Sequence, residues 1–212
     1  MVKGYIGFQL YFPNRWPLLA AVIGGVMLRD ESVVELFLAG GGAADGPDFT
    51  EAQEGIKCGD VWSHTDKLDD KLEVFEGRHS ISRIMGDSAD DIVAKCAQWR
   101  MPAKERYMGD FNVETKNPML IIGNTHDPVT PLASARNLSE TIQTSRLLQH
   151  DSYGHDSLII GSLCTAKTIR SYFVEGKLPD EGTVCETHVE LFSGTDGWDE
   201  IIAELEADPL EA

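Results

Sequence analysis

The stretch "GNTHDPVTPLASARNLSETIQTSRLLQHDSYGHDSL", residues 123–158, holds an acid and a base whose pairing would do acyl-transfer chemistry. Asp127 stands at the head of the turn Asp-Pro-Val-Thr-Pro, and His155 lies in a Gly-His-Asp-Ser loop. A carboxylate beside an imidazole accepts a hydrogen bond from one ring nitrogen, fixes the tautomer, and leaves the other nitrogen to take a serine proton. The third group of such a set is a serine raised on a Gly-x-Ser-x-Gly turn between strand and helix. No such pentapeptide occurs in the 212 residues. Gly86-Asp87-Ser88-Ala89-Asp90 lacks the last glycine, and Ser88 reads instead as the cap of a helix over "ADDIVAKC". Ser157 follows His155 too closely along the loop to be presented to its imidazole, and Ser134 has neither base nor oxyanion donors in prospect. The bland alternative is a turn aspartate and a loop histidine that never meet.

Two strands must position the pair. "NPMLIIGN" is an apolar run bounded by Pro118 and Gly123, as a buried parallel strand is, and "SRLLQHD" is a second. Between them, residues 131–143 predict a helix with Pro131 in its first turn. "SLIIGSLCTAKTIRSYFVEGKL" predicts a long helix ending near Gly176. Strand, helix, strand, helix is the order of an α/β fold with a parallel sheet. Such folds place their chemistry in loops at the carboxyl ends of the strands. Asp127 and His155 each follow a strand and would face the same sheet edge.

The residues before Pro118 read as helical. A helix is expected over residues 16–40, with Pro17 in its first turn and a break near Arg29-Asp30-Glu31. "GGGAADGPD", residues 40–48, reads as a flexible connection. A further helix over residues 49–59 leads to Cys58. Leu68, Leu72 and Phe75 fall at the spacing of an amphipathic helix, and "ADDIVAKCAQW" is another, with acids in its first turn where the helix dipole favours them.

With 42% apolar and 25% charged residues, the chain is globular in composition. The 18 basic residues against 35 acidic ones give a formal charge of −17, which argues against contact with a nucleic-acid backbone. Part of the acidic excess sits in the tail "TDGWDEIIAELEADPLEA", a short helix or a frayed end. The apolar amino-terminal stretch is interrupted at Pro13-Asn14-Arg15, and the run Trp16–Leu28 falls short of the about 20 residues that span a bilayer. It has no cleavage site after a clean apolar core either, so a buried helix is expected there rather than an anchor or signal peptide. The four cysteines permit three pairings, and their spacing does not suit zinc. Asn137-Leu138-Ser139 is a glycosylation triplet if the chain is secreted.

The sequence resembles the carboxyl-terminal part of the tripeptidyl aminopeptidase-like α/β-hydrolases, in particular the fungal secreted type. The stretches that carry the resemblance are "YFPNRWPLLA", "IKCGD", "CAQW", "NPMLIIGNTHDPVTPLASA", "YGHDSL" and "LCTAKTIRSYFVEGKLPDEGTVCE". It covers residues 10 to about 187, and residues 117–186 are the most specific part. The resemblance implies a partial α/β-hydrolase fold. Residues 1–113 would be the later part of a helical cap, residues 114–187 the last strands and helices of the core, and residues 188–212 an acidic tail. It also implies Asp127 as triad acid, His155 as triad base, and disulfides Cys58–Cys96 and Cys164–Cys185.

In that family the serine elbow and the oxyanion-hole loop precede the cap, so the chain is expected to begin inside the cap and to lack both. Removing the serine alone costs such enzymes about six orders of magnitude in turnover. The function so implied is that of a segment of a serine peptidase acting at a peptide end through an acyl-serine, inactive by itself. A non-catalytic binding or interaction module on the same fold is the alternative. The expected partners are a peptide or small ester substrate and a missing amino-terminal half, with no nucleic acid, membrane, cofactor or metal. The resemblance places the parent protein outside the cell.

Overall fold

The structure, a computed structural model, describes residues 2–33, 35, 50–61, 64–87 and 90–207. The expected flexible connection at 40–48 and the Ser88 cap lie outside the described residues. The chain divides into two compact units, Met1–Gly7 with Leu38–Gly109, and Phe8–Phe37 with Asp110–Ala212. A first helix, α1 (Val2–Leu10), runs across the division.

The second unit holds a parallel sheet in the order β1-β2-β3, formed by β1 (Met119–His126), β2 (Ser145–Tyr153) and β3 (Val184–Glu186). β1 and β2 pair in register from Met119 with Ser145 to Asn124 with His150. Both stretches that read as strands become strands, with Ile121 of β1 and Leu148 of β2 in the core. Helix α6 (Leu132–Thr141) makes the crossover. Pro131 stands outside it as the cap residue rather than in its first turn, because its ψ of 147° is extended. Helix α7 (Leu163–Glu175) begins at Ser162, whose hydroxyl accepts the Thr165 N–H, and stops at left-handed Gly176. β3 is too short for a period-2 pattern to show in the sequence. The tail is a helix, α8 (Trp198–Ala207), against α7, with Arg170 donating to the Leu205 carbonyl at 3.2 Å.

The amino-terminal part of this unit contributes a 3-10 turn at Pro13–Arg15 and helix α2 (Trp16–Leu28). Arg29, at φ 57°, ends α2 where the sequence marks a break. The expected buried helix is buried on one face only, through Leu19, Val22 and Gly25, while Met27 and Leu28 are exposed. A helix apolar on every side still presents a single stripe to a single neighbour. Among the described residues no helix is long and apolar enough to cross a membrane.

The first unit is helical: α3 (Thr50–Asp60), a 3-10 turn at Leu68–Lys71 running into α4 (Leu72–Ile81), and α5 (Asp90–Gln98). The amphipathic helix read through Leu68, Leu72 and Phe75 does not form as such. Leu68 and Leu72 are each 49% exposed, and α4 buries none of its residues. The 3-10 turn is the cause. At three residues per turn, a four-residue step no longer returns to the same face. A disulfide joins Cys58 of α3 to Cys96 of α5, and a second joins Cys164 of α7 to Cys185 of β3.

Candidate active site

Asp127 is the first residue beyond β1, and its side chain is only 2% exposed. Four donors converge on its carboxylate. Oδ1 accepts the N–H groups of Val129 at 2.7 Å and Thr130 at 2.9 Å, the local bonding that makes aspartate a turn residue. Oδ2 accepts the Thr130 hydroxyl at 2.8 Å and the Asp156 N–H at 3.1 Å. Burial by itself would push the carboxyl pKa up. The N–H groups of Thr130, Val129 and Asp156, with the Thr130 hydroxyl, outweigh it and hold the pKa below the ordinary aspartate value.

His155 Nδ1 lies 3.2 Å from Oδ2 and 3.3 Å from Oδ1 of this carboxylate. An ionised carboxylate only accepts hydrogen bonds, so Nδ1 is the nitrogen that carries the proton. Nε2 is left with a lone pair and makes no hydrogen bond among the described residues, on a side chain 30% exposed. This tautomer is the one a general base on a hydroxyl needs.

The loop that carries His155 is fixed from three directions. The His155 N–H donates to the Tyr11 carbonyl at 3.1 Å, and the Tyr11 ring meets the imidazole edge-on with centroids 5.0 Å apart. Gly154 takes φ 89°, where a Cβ would come within 2.5 Å of Pro13 Cδ and 2.8 Å of the Tyr11 carbonyl oxygen. Only glycine suits both that backbone and that approach. Asn124, buried at the end of β1, donates to the Asp156 carbonyl at 2.6 Å and the Gly154 carbonyl at 3.3 Å. Asp156 is left-handed at φ 66°, and its Oδ1 accepts the Leu158 N–H at 2.7 Å.

The sheet is irregular at this end. Asn124 pairs with His150, but His126 pairs with Tyr153, so β2 carries an extra residue. Bulges re-aim side chains at sheet margins near active sites. Here the bulge stacks His126 on Tyr153 with centroids 4.5 Å apart. His150 has a different part. Fully buried, its Nε2 lies 3.1 Å from the Ile160 carbonyl and its Nδ1 2.8 Å from the Thr165 hydroxyl. Burial lowers its pKa, so it is a neutral core tie, with Nε2 donating and Nδ1 accepting.

The sequence singles out Asp127 and His155, which the structure brings together, and leaves out Thr130, Asn124 and Tyr11. Thr130, three residues after Asp127 in Asp-Pro-Val-Thr-Pro, carries a legible signal, the spacing at which a hydroxyl reaches back to a turn aspartate. Asn124 is legible only as a polar residue ending an apolar run. Tyr11 lends mainly its backbone carbonyl, for which no residue type is diagnostic.

Residues 82–185 match the profile of a family of α/β-hydrolases described as "TAP-like protein". The match supports an α/β-hydrolase family. The chain is 25% identical over 194 residues to "Carboxylesterase B" of Mycobacterium tuberculosis, across 83% of this chain and 35% of that protein. It is 26% identical over 143 residues to "Serine protease Hip1" of the same organism, across 64% of this chain and 26% of that protein. The chain therefore spans between about a quarter and about a third of the length of the curated relatives it matches. The parallel sheet with its helices fits this family's α/β class.

Proposed function

We propose that this chain is the carboxyl-terminal segment of a secreted serine hydrolase of the tripeptidyl aminopeptidase-like, fungal type, with Asp127 as acid and His155 as base. The observation that carries the reading is the Asp127 carboxylate, clamped by four donors and set 3.2 Å from His155 Nδ1 beyond two parallel strands. A purely structural turn aspartate has no need of an imidazole whose far nitrogen is left unbonded.

In the proposed reaction a serine hydroxyl gives its proton to His155 Nε2 as its oxygen bonds to the substrate carbonyl carbon. Asp127 accepts the Nδ1–H throughout and stabilises the imidazolium. The tetrahedral species collapses to an acyl-serine, and Nε2 returns the proton to the departing amine or alcohol. Water then repeats the sequence and frees the acid. The serine and the oxyanion donors would come from a segment outside these residues, since no Gly-x-Ser-x-Gly occurs in them. That β1 stands at one edge of the sheet, with Ile121, Gly123 and Asn124 buried, supports a further strand pairing there. Residues 1–113 would act as cap, 114–187 as core segment and 188–212 as tail, and the two disulfides favour an oxidising compartment. The likeness to proteins named esterase and protease leaves peptide and ester both as substrates.

A fluorophosphonate probe tests this, because it labels a serine only where a base and oxyanion donors activate it. The chain alone should not label. Supplied with an amino-terminal segment of a relative that carries Gly-x-Ser-x-Gly, it should label, and His155→Ala should abolish labelling without unfolding the sheet. Labelling of the isolated chain that one Ser→Ala change removes would overturn the proposal.

A further inference from the structure

We infer that the first unit carries a binding site for a carboxylate with an apolar tail, in the cleft between α3, α4 and α5. A cavity of about 320 Å³ opens there. Its walls are Val74 of α4, Ile92 and Val93 of α5, Val61 just beyond α3, and Cys96 of the disulfide that ties α3 to α5. Three cations complete the lining, Lys57, Lys71 and Arg78, and among the described residues no carboxylate does. In a chain of formal charge −17 that concentration runs against composition.

Among the described residues, two of these cations, Lys57 and Arg78, are not spent on neighbouring carboxylates. Lys3, Lys95 and Arg100 each hold a carboxylate of this unit, whereas Lys57 and Arg78 form no ion pair among the described residues. The Arg78 Nε–H is buried without a hydrogen-bond partner. An unsatisfied buried donor on a guanidinium costs stability unless a ligand answers it. A carboxylate is the group whose geometry matches that fork. Lys71 is held almost wholly out of solvent beside it.

Valine and isoleucine walls have nothing to offer a polar body, so the rest of the ligand is apolar. At about 30 Å³ per non-hydrogen atom, the cavity holds about ten such atoms. That is the size of a medium-chain fatty acid or of an apolar residue at a peptide's carboxyl end. The two share one chemistry, an anionic head and a hydrocarbon body. The site lies wholly in the first unit and does not rest on the roles proposed for Asp127 and His155.

Calorimetric titration of the whole chain with octanoate tests the inference, with octanamide as the neutral match and acetate as the head alone. Octanoate should bind about tenfold or more tightly than either. Arg78→Gln should weaken octanoate by a similar factor while leaving octanamide unchanged, and Lys57→Gln, at an exposed position, should weaken it less. Octanamide binding as well as octanoate, an unaltered octanoate affinity in a folded Arg78→Gln protein, or no saturable heat would each overturn the site. N-acetyl-leucine, one apolar residue with a free carboxylate and close to octanoate in size, identifies the source. Tighter binding than octanoate points to a peptide end, weaker to a fatty acid, and either upholds the shared chemistry.

Discussion

The two units hold themselves together by different means. In the second, Ile121, Leu132, Ile142, Leu148 and Ile160 are buried, and the parallel sheet ties residues distant in sequence. In the first, the buried apolar side chains among the described residues are Cys58, Cys96 and Ala97. One is packed around a core, and the other is stapled. A small helical unit without enough apolar burial needs a covalent tie to offset chain entropy. The packed unit also carries the site, in which Asn124, Thr130 and Asp127 are polar side chains fixed by hydrogen bonds at the end of β1 and in the turn beyond it.

Breaking the staple should have the largest effect. Cys58 and Cys96 are 38 residues apart, and Cys164 and Cys185 are 21 apart. The loop-entropy account assigns about 4 kcal/mol to the first bond and about 3 kcal/mol to the second. Cys58→Ser should strip amide-exchange protection from α3 and α5 and lower helical circular dichroism. Cys164→Ser should lower Tm yet leave β1 and β2 protected. Retention of α3 and α5 in the Cys58→Ser protein would show a packed core where none is described.

Next in size is the tie between sheet and loop. Asn124→Ala leaves the carbonyls of Gly154 and Asp156 without their buried donor. The cost expected is about 1–3 kcal/mol in denaturant unfolding, with faster amide exchange confined to the 154–158 loop. A uniform loss of protection across β1 and β2 would mean that Asn124 serves the core rather than the loop.

How legible each region is in the sequence follows from the same contrast. β1 shows itself through the uninterrupted apolar run at residues 119–122 and β2 through Leu147 and Leu148, although β2 buries alternate residues and two of those, His150 and Ser152, are polar. Asp127 and His155 follow from where those strands end. β3 escapes notice because three residues, one of them a disulfide cysteine, carry no period. In the first unit Leu68 and Leu72 obey helical spacing and still end up exposed, because spacing reports a helix only while the backbone keeps 3.6 residues per turn. Asn124 acts through hydrogen bonds to carbonyls about thirty residues away, and periodicity is blind to those, whereas Thr130 reaches back only three residues to Asp127 and is legible as a turn residue.

A smaller, pH-dependent effect should separate the units as well. The Asp127 pKa lies below its ordinary value of 3.8, so the folded state favours the carboxylate. Its contribution to stability is complete above that ordinary value and is lost as pH falls through the lower folded value. Unfolding free energy measured below pH 3.8 should therefore fall less steeply for Asp127→Asn than for the unaltered chain. The difference should appear in exchange from the second unit alone. Parallel acid limbs for the two proteins would mean that the hydrogen-bond clamp on Asp127 does not favour its charged form.

The smallest effect expected is at Leu72, and it bears most directly on the contrast. Helical spacing nominates Leu72 as a core residue, yet it is 49% exposed at the first position of α4, just after the 3-10 turn. Truncating a leucine buried like Leu148, at 0% exposure in β2, costs about 2–5 kcal/mol through lost transfer energy and the cavity left behind. At Leu72 little surface is withdrawn from water and no cavity can form, so Leu72→Ala should stay within about 0.5 kcal/mol of the unaltered chain. Alanine's better helix propensity removes backbone cost from the comparison. Denaturant midpoints followed by exchange at α4 amides give the number. A loss of 2 kcal/mol or more, approaching that of Leu148→Ala, would mean that Leu72 is covered by something in solution and that the first unit is packed after all.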